Sequence, residues 1–261
     1  MSITLAEVRR RQKHPHLAAD PTYSTLVMRR LSPFLTWFVV RFTPLGADVV
    51  TLVAIASGVL AGILLFEPLP ATYFAAAILL QFAYLCDTSD GEVARIRGTA
   101  SKRGTYYDLL GHHIQDRVLW IAAGYDLIVL SNMAPPVIVV VLVSIAFPDP
   151  FGLRARSHVL RTVDPEDPVH GIHRPITPPQ RKTAGPVLYY LYRRTAFLWN
   201  YPASMNLFCL AILADVVRFL TIPGSLPLVL PLLYLAFGTT RVAKQFGNAL
   251  RLLRSSDWRA E

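Results

Sequence analysis

The sequence is short of charge and of cysteine. Only 16% of its residues are Asp, Glu, Lys or Arg, whereas 53% are hydrophobic. An apolar content this high, arranged in long uninterrupted runs, argues against a soluble domain and is typical of a polytopic membrane protein. The two cysteines, Cys86 and Cys209, match no zinc spacing and give no disulfide framework. Because residues 1–22 are polar and basic, we expect no cleavable signal peptide.

Acidic residues are scarcer than basic ones, 17 against 26, which leaves a formal net charge of +9. We expect no nucleic-acid partner, because the basic residues flank apolar runs, as they do on the cytoplasmic side of membrane proteins, where they meet anionic lipids. The predicted turns at 67–70, 131–136 and 221–227 contain no Lys or Arg. This asymmetry predicts that both termini and the segment 86–117 face the cytoplasm.

The apolar runs predict six membrane-spanning helices, each near the roughly 20 residues that cross a bilayer core. We expect the spans at about 47–66, 71–89, 104–130, 136–157, 196–220 and 227–248. Residues 23–43 mix aromatic residues with arginines and contain Pro33, which we expect to interrupt the run. An amphipathic helix in the membrane interface is therefore predicted there instead of a span.

The predicted fold class is an all-α integral membrane protein with six transmembrane helices and an N-terminal interfacial amphipathic helix. Residues 1–43 form the expected cytoplasmic tail and interfacial helix, and residues 44–250 form the transmembrane domain. Residues 251–261 form a second cytoplasmic tail. No internal repeat of fixed period is visible, which argues against a transporter built from repeats.

The segment 86–117 carries ionisable residues between two strongly apolar flanks. Asp87 and Asp90 are three residues apart, and Asp108 and His112 are four apart, so each pair shares a helix face. Ionisable groups at membrane depth are costly and usually functional. Three carboxylates on two helices are the ligands that a hard divalent cation prefers. The spacing therefore predicts a metal site, unless the carboxylates only form ion pairs with Arg95, Arg97 and Arg117.

Small residues stand beside the first pair of carboxylates. Gly91 and Ala94 lie about one turn from Asp87 and Asp90. They leave room for a flat base or a sugar to approach the helix, or else they serve close helix packing. The sequence alone does not choose between these two interpretations.

The same segment resembles the CDP-alcohol phosphotransferase family, whose pattern is D-x-x-D-G-x-x-A-R, eight residues, then G-x-x-x-D-x-x-x-D. Seven of the eight positions match, namely Asp87, Asp90, Gly91, Ala94, Arg95, Gly104 and Asp108. The last position holds His112 in place of Asp. The stretch 44–51 also resembles the family's Pro-Asn-x-x-Thr start of the first span, although the Asn is absent.

The resemblance implies transfer of a substituted phosphate from CDP-diacylglycerol or another CDP-alcohol to an anionic or polyol acceptor, with release of CMP. Such chemistry belongs to phospholipid or related headgroup synthesis at the inner (plasma) membrane, with membrane lipids as further partners and a homodimer as the expected assembly. The implied Mg²⁺ or Mn²⁺ ligands are Asp87, Asp90, Asp108 and His112, for two ions of which the second is left open by His112. The implied donor-binding residues are Gly91, Ala94, Arg95 and Gly104, with Arg95 on phosphate.

His112 is the departure that decides the chemistry. In the family the last Asp is the general base on the acceptor hydroxyl and contributes to the second metal. A neutral imidazole can also act as a base near neutral pH, and it binds Mn²⁺ or Zn²⁺ more readily than Mg²⁺. Three interpretations compete: His112 is base or ligand, with Asp108 as its partner; Asp116 or His113 takes over; or the chain is an inactive homologue serving as a membrane scaffold or regulatory partner. Asp116 is expected to orient His112 from behind.

Two further acidic residues lie on later spans. Asp149, between Pro148 and Pro150, is predicted at the depth of the metal site, where it touches the acceptor or caps a kink. Asp215 and Arg218 are three apart, and we expect a local ion pair.

Overall fold

A computed structural model describes residues 3–12, 23–130 and 203–236, and every regular element in these ranges is helical. The helices are α1 (Leu5–Arg11), α2 (Arg29–Phe42), α3 (Ala47–Leu64), α4 (Pro70–Arg97), α5 (Lys102–Tyr125) and α6 (Ala203–Thr221). A π-helical turn, Ser24–Met28, leads into α2, and a second, Asp126–Leu130, continues α5. Residues 229–236 are also helical. The all-α prediction is confirmed for these parts of the chain.

Helix α4 is longer than the predicted second span. It starts with Pro70, and a proline is tolerated at the first helical position because an N–H there would have no partner within the helix. It ends at Gly98, which takes a left-handed conformation with φ 66°. The helix continues beyond the predicted end of the span near residue 89, because its left-handed cap comes only at Gly98. The whole D-x-x-D-G-x-x-A-R half of the motif therefore lies on one continuous helix.

Helices α3 and α5 approach each other through glycines. A methyl group added at Gly58 or Gly62 would clash with Gln115 or Val118 of α5, and one at Gly111 would lie 2.7 Å from Ile55 Cγ1. In a membrane the hydrophobic effect does not drive helices together, and small residues let their backbones come close enough for van der Waals packing. This close contact fixes α5 against α3, which in turn packs along α4.

The core lies between α4, α5 and α6. Its fully or nearly fully buried side chains include Tyr73, Ala76, Leu80, Leu119, Trp120, Met205, Phe208, Ile212 and Tyr234. Two of the described helices, α3 and α4, are long and apolar enough to cross a membrane by length and composition. The predicted fourth span lies outside the described residues, and the fifth and sixth are described only in part, so the number of six remains a prediction.

The predicted amphipathic helix at 23–43 is present as α2 and its leading turn. Its buried side packs on α4 and includes Pro33 and Thr36, while Phe34 and Phe38 are about half exposed. The prediction that Pro33 interrupts the run is wrong, because α2 continues through the proline. The backbone adjusts upstream, in the π-helical turn Ser24–Met28, instead of breaking at Pro33.

The expected ion pair between Asp215 and Arg218 does not form. Asp215 accepts hydrogen bonds from the backbone N–H groups of residues 228–230 at 2.8, 2.9 and 2.8 Å. Arg218 instead donates from Nε to the carbonyl oxygen of Leu226 at 3.1 Å. The N–H groups at the start of a helix lack partners within the helix, and the buried Asp215 carboxylate accepts from three of them at once. It therefore needs no ion pair with Arg218.

Candidate functional site

Three of the predicted site residues meet between α4 and α5. His112 Nε2 lies 2.7 Å from Asp87 Oδ1 and 3.1 Å from Asp108 Oδ1. One ligand atom from each of the three residues lies within 4.8 Å of the other two. The i,i+4 spacing on α5 brings Asp108 and His112 to one face, and the packing of α4 brings Asp87 opposite them. We call these three residues the acid–histidine cluster.

The geometry of the acid–histidine cluster fits a divalent cation. An octahedral ion with ligands at about 2.1 Å holds adjacent ligand atoms about 3.0 Å apart, close to the separations that His112 Nε2 makes here. The side chains are also within reach of solvent, with relative exposures of 15% for Asp87, 33% for Asp108 and 18% for His112. Two carboxylates with one imidazole suit Mn²⁺ better than Mg²⁺, since Mg²⁺ prefers oxygen ligands alone.

Asp90 is the predicted metal ligand that the structure does not bring into the acid–histidine cluster. It is 7% exposed, and its Oδ2 accepts a hydrogen bond of 2.6 Å from the Thr51 hydroxyl of α3. Sequence reasoning missed Thr51 as part of the site, although a hydroxyl within an apolar run was a usable signal. Thr51 fixes one carboxylate oxygen of Asp90 and so sets the direction in which the other can bind.

Within the described residues, the atoms nearest to a methyl group added at either predicted donor-binding glycine belong to side chains. At Gly91 the three nearest atoms all belong to Arg95, with Nη1 at 3.2 Å. A methyl group at Gly104 would meet Ser101 Oγ at 3.5 Å and Asp48 Oδ1 at 3.9 Å. Within the described residues no neighbouring helix therefore packs on Gly91, and the close-packing interpretation of this glycine is not what the structure shows. Ala94 is half-buried and Arg95 exposed on the same helix.

Arg97 is not a partner for the motif carboxylates. Its guanidinium donates to the carbonyl oxygens of Val39, Thr43 and Pro44 at 3.3, 2.7 and 2.9 Å. These bonds satisfy the carboxyl end of α2, where helix carbonyls lack partners. The alternative in which Arg97 neutralises the aspartates is therefore ruled out by its position.

Glu92 is a second residue that sequence reasoning missed. It stands at a variable position of the motif, yet it is only 3% exposed. Its carboxylate accepts hydrogen bonds from the hydroxyls of Ser32 and Thr36, both at 2.7 Å. The acidic side chain among the motif residues was a usable signal. Its partners lie on α2, however, and only the tertiary packing of α2 on α4 brings them together.

Two further acidic residues, Asp116 and Asp149, are predicted to act near the site. Trp120 Nε1 donates to Asp116 Oδ1 at 3.0 Å, one turn further along α5. The predicted role of Asp116 in orienting His112 remains a prediction. Asp149 lies outside the described residues.

Residues 45–164 match the family described as CDP-alcohol phosphatidyltransferase. Over these residues the chain is similar to that family. The match contains α3, α4 and α5, and with them the acid–histidine cluster, so the resemblance read from the motif is confirmed. The family is one of membrane transferases that move a phosphatidyl group from a CDP-alcohol donor to an alcohol acceptor with release of CMP, and it is generally dependent on a divalent metal. Among curated proteins none matches the chain.

Proposed function

We propose that the chain transfers a substituted phosphate from a CDP-linked donor to the hydroxyl of an anionic or polyol acceptor, releasing CMP. The donor is CDP-diacylglycerol or a soluble CDP-alcohol, and the product is a phospholipid or a related headgroup. The observation that carries the proposal is the acid–histidine cluster, Asp87, Asp108 and His112, which lies inside the family match and is open to solvent.

Each site residue has a role in this proposal. Asp87, Asp90 and Asp108 hold the divalent ion, with Asp90 acting from its anchor on Thr51 outside the acid–histidine cluster. His112 is either a further ligand of the ion or the base, because one Nε2 cannot bind an ion and accept a proton at once. When bound, Mg²⁺ or Mn²⁺ supplies positive charge beside the diphosphate of the donor. Gly91, Ala94, Arg95 and Gly104 form the donor site, with the open face at Gly91 receiving the cytidine and Arg95 a phosphate.

His112 and Asp108 are the proposed catalytic pair. Two carboxylate oxygens lie at 2.7 and 3.1 Å from His112 Nε2, so they orient the ring and stabilise a proton on that nitrogen. The acceptor hydroxyl oxygen forms the new bond to phosphorus, and its proton passes to Nε2. The anhydride bond to CMP breaks, and CMP leaves with the electron pair. Atoms and charge balance without another reactant.

The proposed setting is the inner (plasma) membrane, crossed by six helices within residues 44–250. The termini, residues 1–43 and 251–261, and the site face the cytoplasm, where CDP-linked donors are available. This placement rests on the absence of Lys and Arg from the predicted outer turns. A homodimer is proposed from the family resemblance.

A second candidate function is that of an inactive homologue acting as a membrane scaffold or regulatory partner. The contacts of His112 Nε2 with Asp87 and Asp108 favour it, because a protonated imidazole between the two carboxylates offsets one of their two negative charges without an ion.

The test uses the full chain, purified and reconstituted in liposomes. Labelled CDP-diacylglycerol and, separately, labelled soluble CDP-alcohols are supplied with Mg²⁺ or Mn²⁺ and a mixture of polyol and phosphorylated polyol acceptors. Metal-dependent release of CMP supports the transferase and identifies the donor class. If no donor yields CMP and the protein binds neither ion, the enzyme proposal is wrong and the scaffold is favoured.

A further inference from the structure

Glu92 joins the N-terminal helices to the motif helix. Besides the hydroxyls of Ser32 and Thr36, it accepts a hydrogen bond of 2.5 Å from Gln12 Nε2, and Arg29 Nη1 lies 3.5 Å away. These donors come from α2 and from the residue that follows α1. We call this set of contacts the Glu92 clamp. A carboxylate at 3% exposure is stable only with such a full set of donors, since an unpaired buried charge is strongly destabilising.

The Glu92 clamp stands next to the proposed donor site. Arg95 is three residues from Glu92 and four from Gly91, so on a helix it borders both. Its guanidinium lies along the open face of Gly91, with Nη1 3.2 Å from where a methyl group would be. Arg95 thus forms the boundary between the donor site and the surface that the clamp holds.

A cleft opens between α1 and α4 at this boundary. It has a volume of about 260 Å³ and is lined by Val8, Arg11, Gln12, Glu92, Arg95 and Ile96. Arg29 offsets the charge of Glu92 at 3.5 Å, so the guanidinium groups of Arg11 and Arg95 leave the cleft positive. Among the described residues Arg11 pairs with Glu7 at 2.7 Å, and this exposed pair costs little to exchange for another anion.

We propose that this cleft binds a phosphate group of a substrate, and that Glu92 is the positioning residue that holds α1 in place to form it. The inference rests on the proposed transferase function. Arginine is suited to the planar, paired hydrogen bonds that phosphate oxygens accept. The phosphate comes either from the diphosphate of the donor or from a phosphorylated acceptor, and both present the same chemistry to Arg11 and Arg95.

The first experiment compares Arg11→Gln with Arg10→Gln. Arg10 is exposed on the same helix but does not line the cleft, so it controls for loss of one positive charge. We expect Arg11→Gln to raise KM about tenfold for one substrate with kcat nearly unchanged, and Arg10→Gln to change either KM less than twofold. The substrate whose KM rises, donor or acceptor, identifies the source of the phosphate. Equal effects of the two variants on both substrates would overturn the proposal.

Binding of inorganic phosphate separates this inference from the proposed function. Calorimetric titration of the detergent-solubilised full chain with phosphate needs no turnover. Weaker binding in Arg11→Gln, together with unchanged binding in Arg10→Gln, supports the cleft even where no donor yields CMP. Phosphate binding that is absent, or that both variants leave unchanged, contradicts the cleft whatever the transferase assay shows.

The positioning role of Glu92 is tested through Thr36, because loss of the carboxylate itself would endanger folding. Thr36→Val removes one donor while keeping the shape, and Thr36→Ser keeps the hydroxyl. We expect Thr36→Val to raise the same KM as Arg11→Gln, about threefold, and Thr36→Ser to restore it. A fall in Tm with both KM values unchanged in Thr36→Val, or failure of Thr36→Ser to restore the KM, would show that Glu92 is merely structural.

Discussion

The two ends of the helix pair α4 and α5 both carry carboxylates, in different surroundings. At the end away from the motif, Asp126 and the neighbouring Asp215 of α6 are fully buried. Asp215 accepts from the three backbone N–H groups of residues 228–230, and the Tyr73 hydroxyl donates to Asp126. These carboxylates serve as acceptors for donors of the chain itself.

At the motif end the carboxylates are reachable from outside. Asp87 and Asp108 are partly exposed, and they converge on one imidazole nitrogen of His112. Gly91 stands one turn from Asp87 on α4, and Gly104 stands one turn from Asp108 on α5. Enclosed carboxylates that accept from donors of the chain therefore build the fold, whereas accessible carboxylates gathered on one atom are placed for a ligand. The Glu92 clamp shows that both kinds occur on α4 itself.

The strongest way to break this comparison is to neutralise one carboxylate of the acid–histidine cluster. Asp87→Asn keeps the shape but removes a charged ligand, so we expect CMP release to fall about 1,000-fold while Tm changes little. Asp215→Asn is the matched control at the other end, and it should retain activity per folded molecule. Full activity of Asp87→Asn would remove Asp87 from the metal site.

His112 tests the same site with a smaller expected effect. His112→Ala should lower kcat about 100-fold with little change in donor affinity, because a positioned base contributes to the rate and not to binding. His112→Asp restores the residue of the family pattern. A large gain in Mg²⁺-dependent rate in His112→Asp would show that the imidazole is a weakened substitute, and unchanged turnover in His112→Ala would exclude it as the base.

The sequence predicted the acid–histidine cluster because its contacts follow from local spacing. Asp108 and His112 share a face by their i,i+4 separation, and the apolar flanks place Asp87 on a neighbouring helix. The contact of Asp90 with Thr51 and the role of Glu92 escaped prediction, because Thr51 and the hydroxyls of α2 are distant from them in sequence. Only tertiary packing of α2 and α3 on α4 decides which carboxylate is left accessible.

The same reasoning applies to the helix boundaries. The all-α fold and the positions of α3 to α5 follow from the long apolar runs, which the sequence displays directly. The length of α4 and the passage of α2 through Pro33 do not, since they depend on where a left-handed cap or an adjusted turn is available. Composition marks where a membrane span fits but not where the helix ends.

Substitutions of Asp215, at the end of the helices away from the motif, should lower the free energy of unfolding. Asp215→Ala leaves the N–H groups of residues 228–230 without their acceptor, and we expect a loss of about 2–3 kcal/mol in the free energy of unfolding. Asp215→Asn keeps one acceptor oxygen and should lose less. Thermal unfolding in detergent measures both, with CMP release assayed below Tm. If Asp215→Ala instead lost activity without losing stability, the division between structural and reactive carboxylates would be wrong.

Gly58 and Gly91 allow the same comparison between a structural position and a ligand-binding position, with the smallest expected effects. Gly58 faces Gln115 across a closed helix contact, so Gly58→Ala should overpack it and cost about 1–3 kcal/mol. Within the described residues, a methyl group added at Gly91 meets the far end of the flexible Arg95 side chain, so Gly91→Ala should change the free energy of unfolding by no more than about 1 kcal/mol. Its added methyl instead enters the space proposed for cytidine, so donor KM should rise several-fold while metal binding stays unchanged. A fall in Tm for Gly91→Ala equal to that of Gly58→Ala, with donor KM unaltered, would mean that Gly91 serves packing and that the donor lies elsewhere.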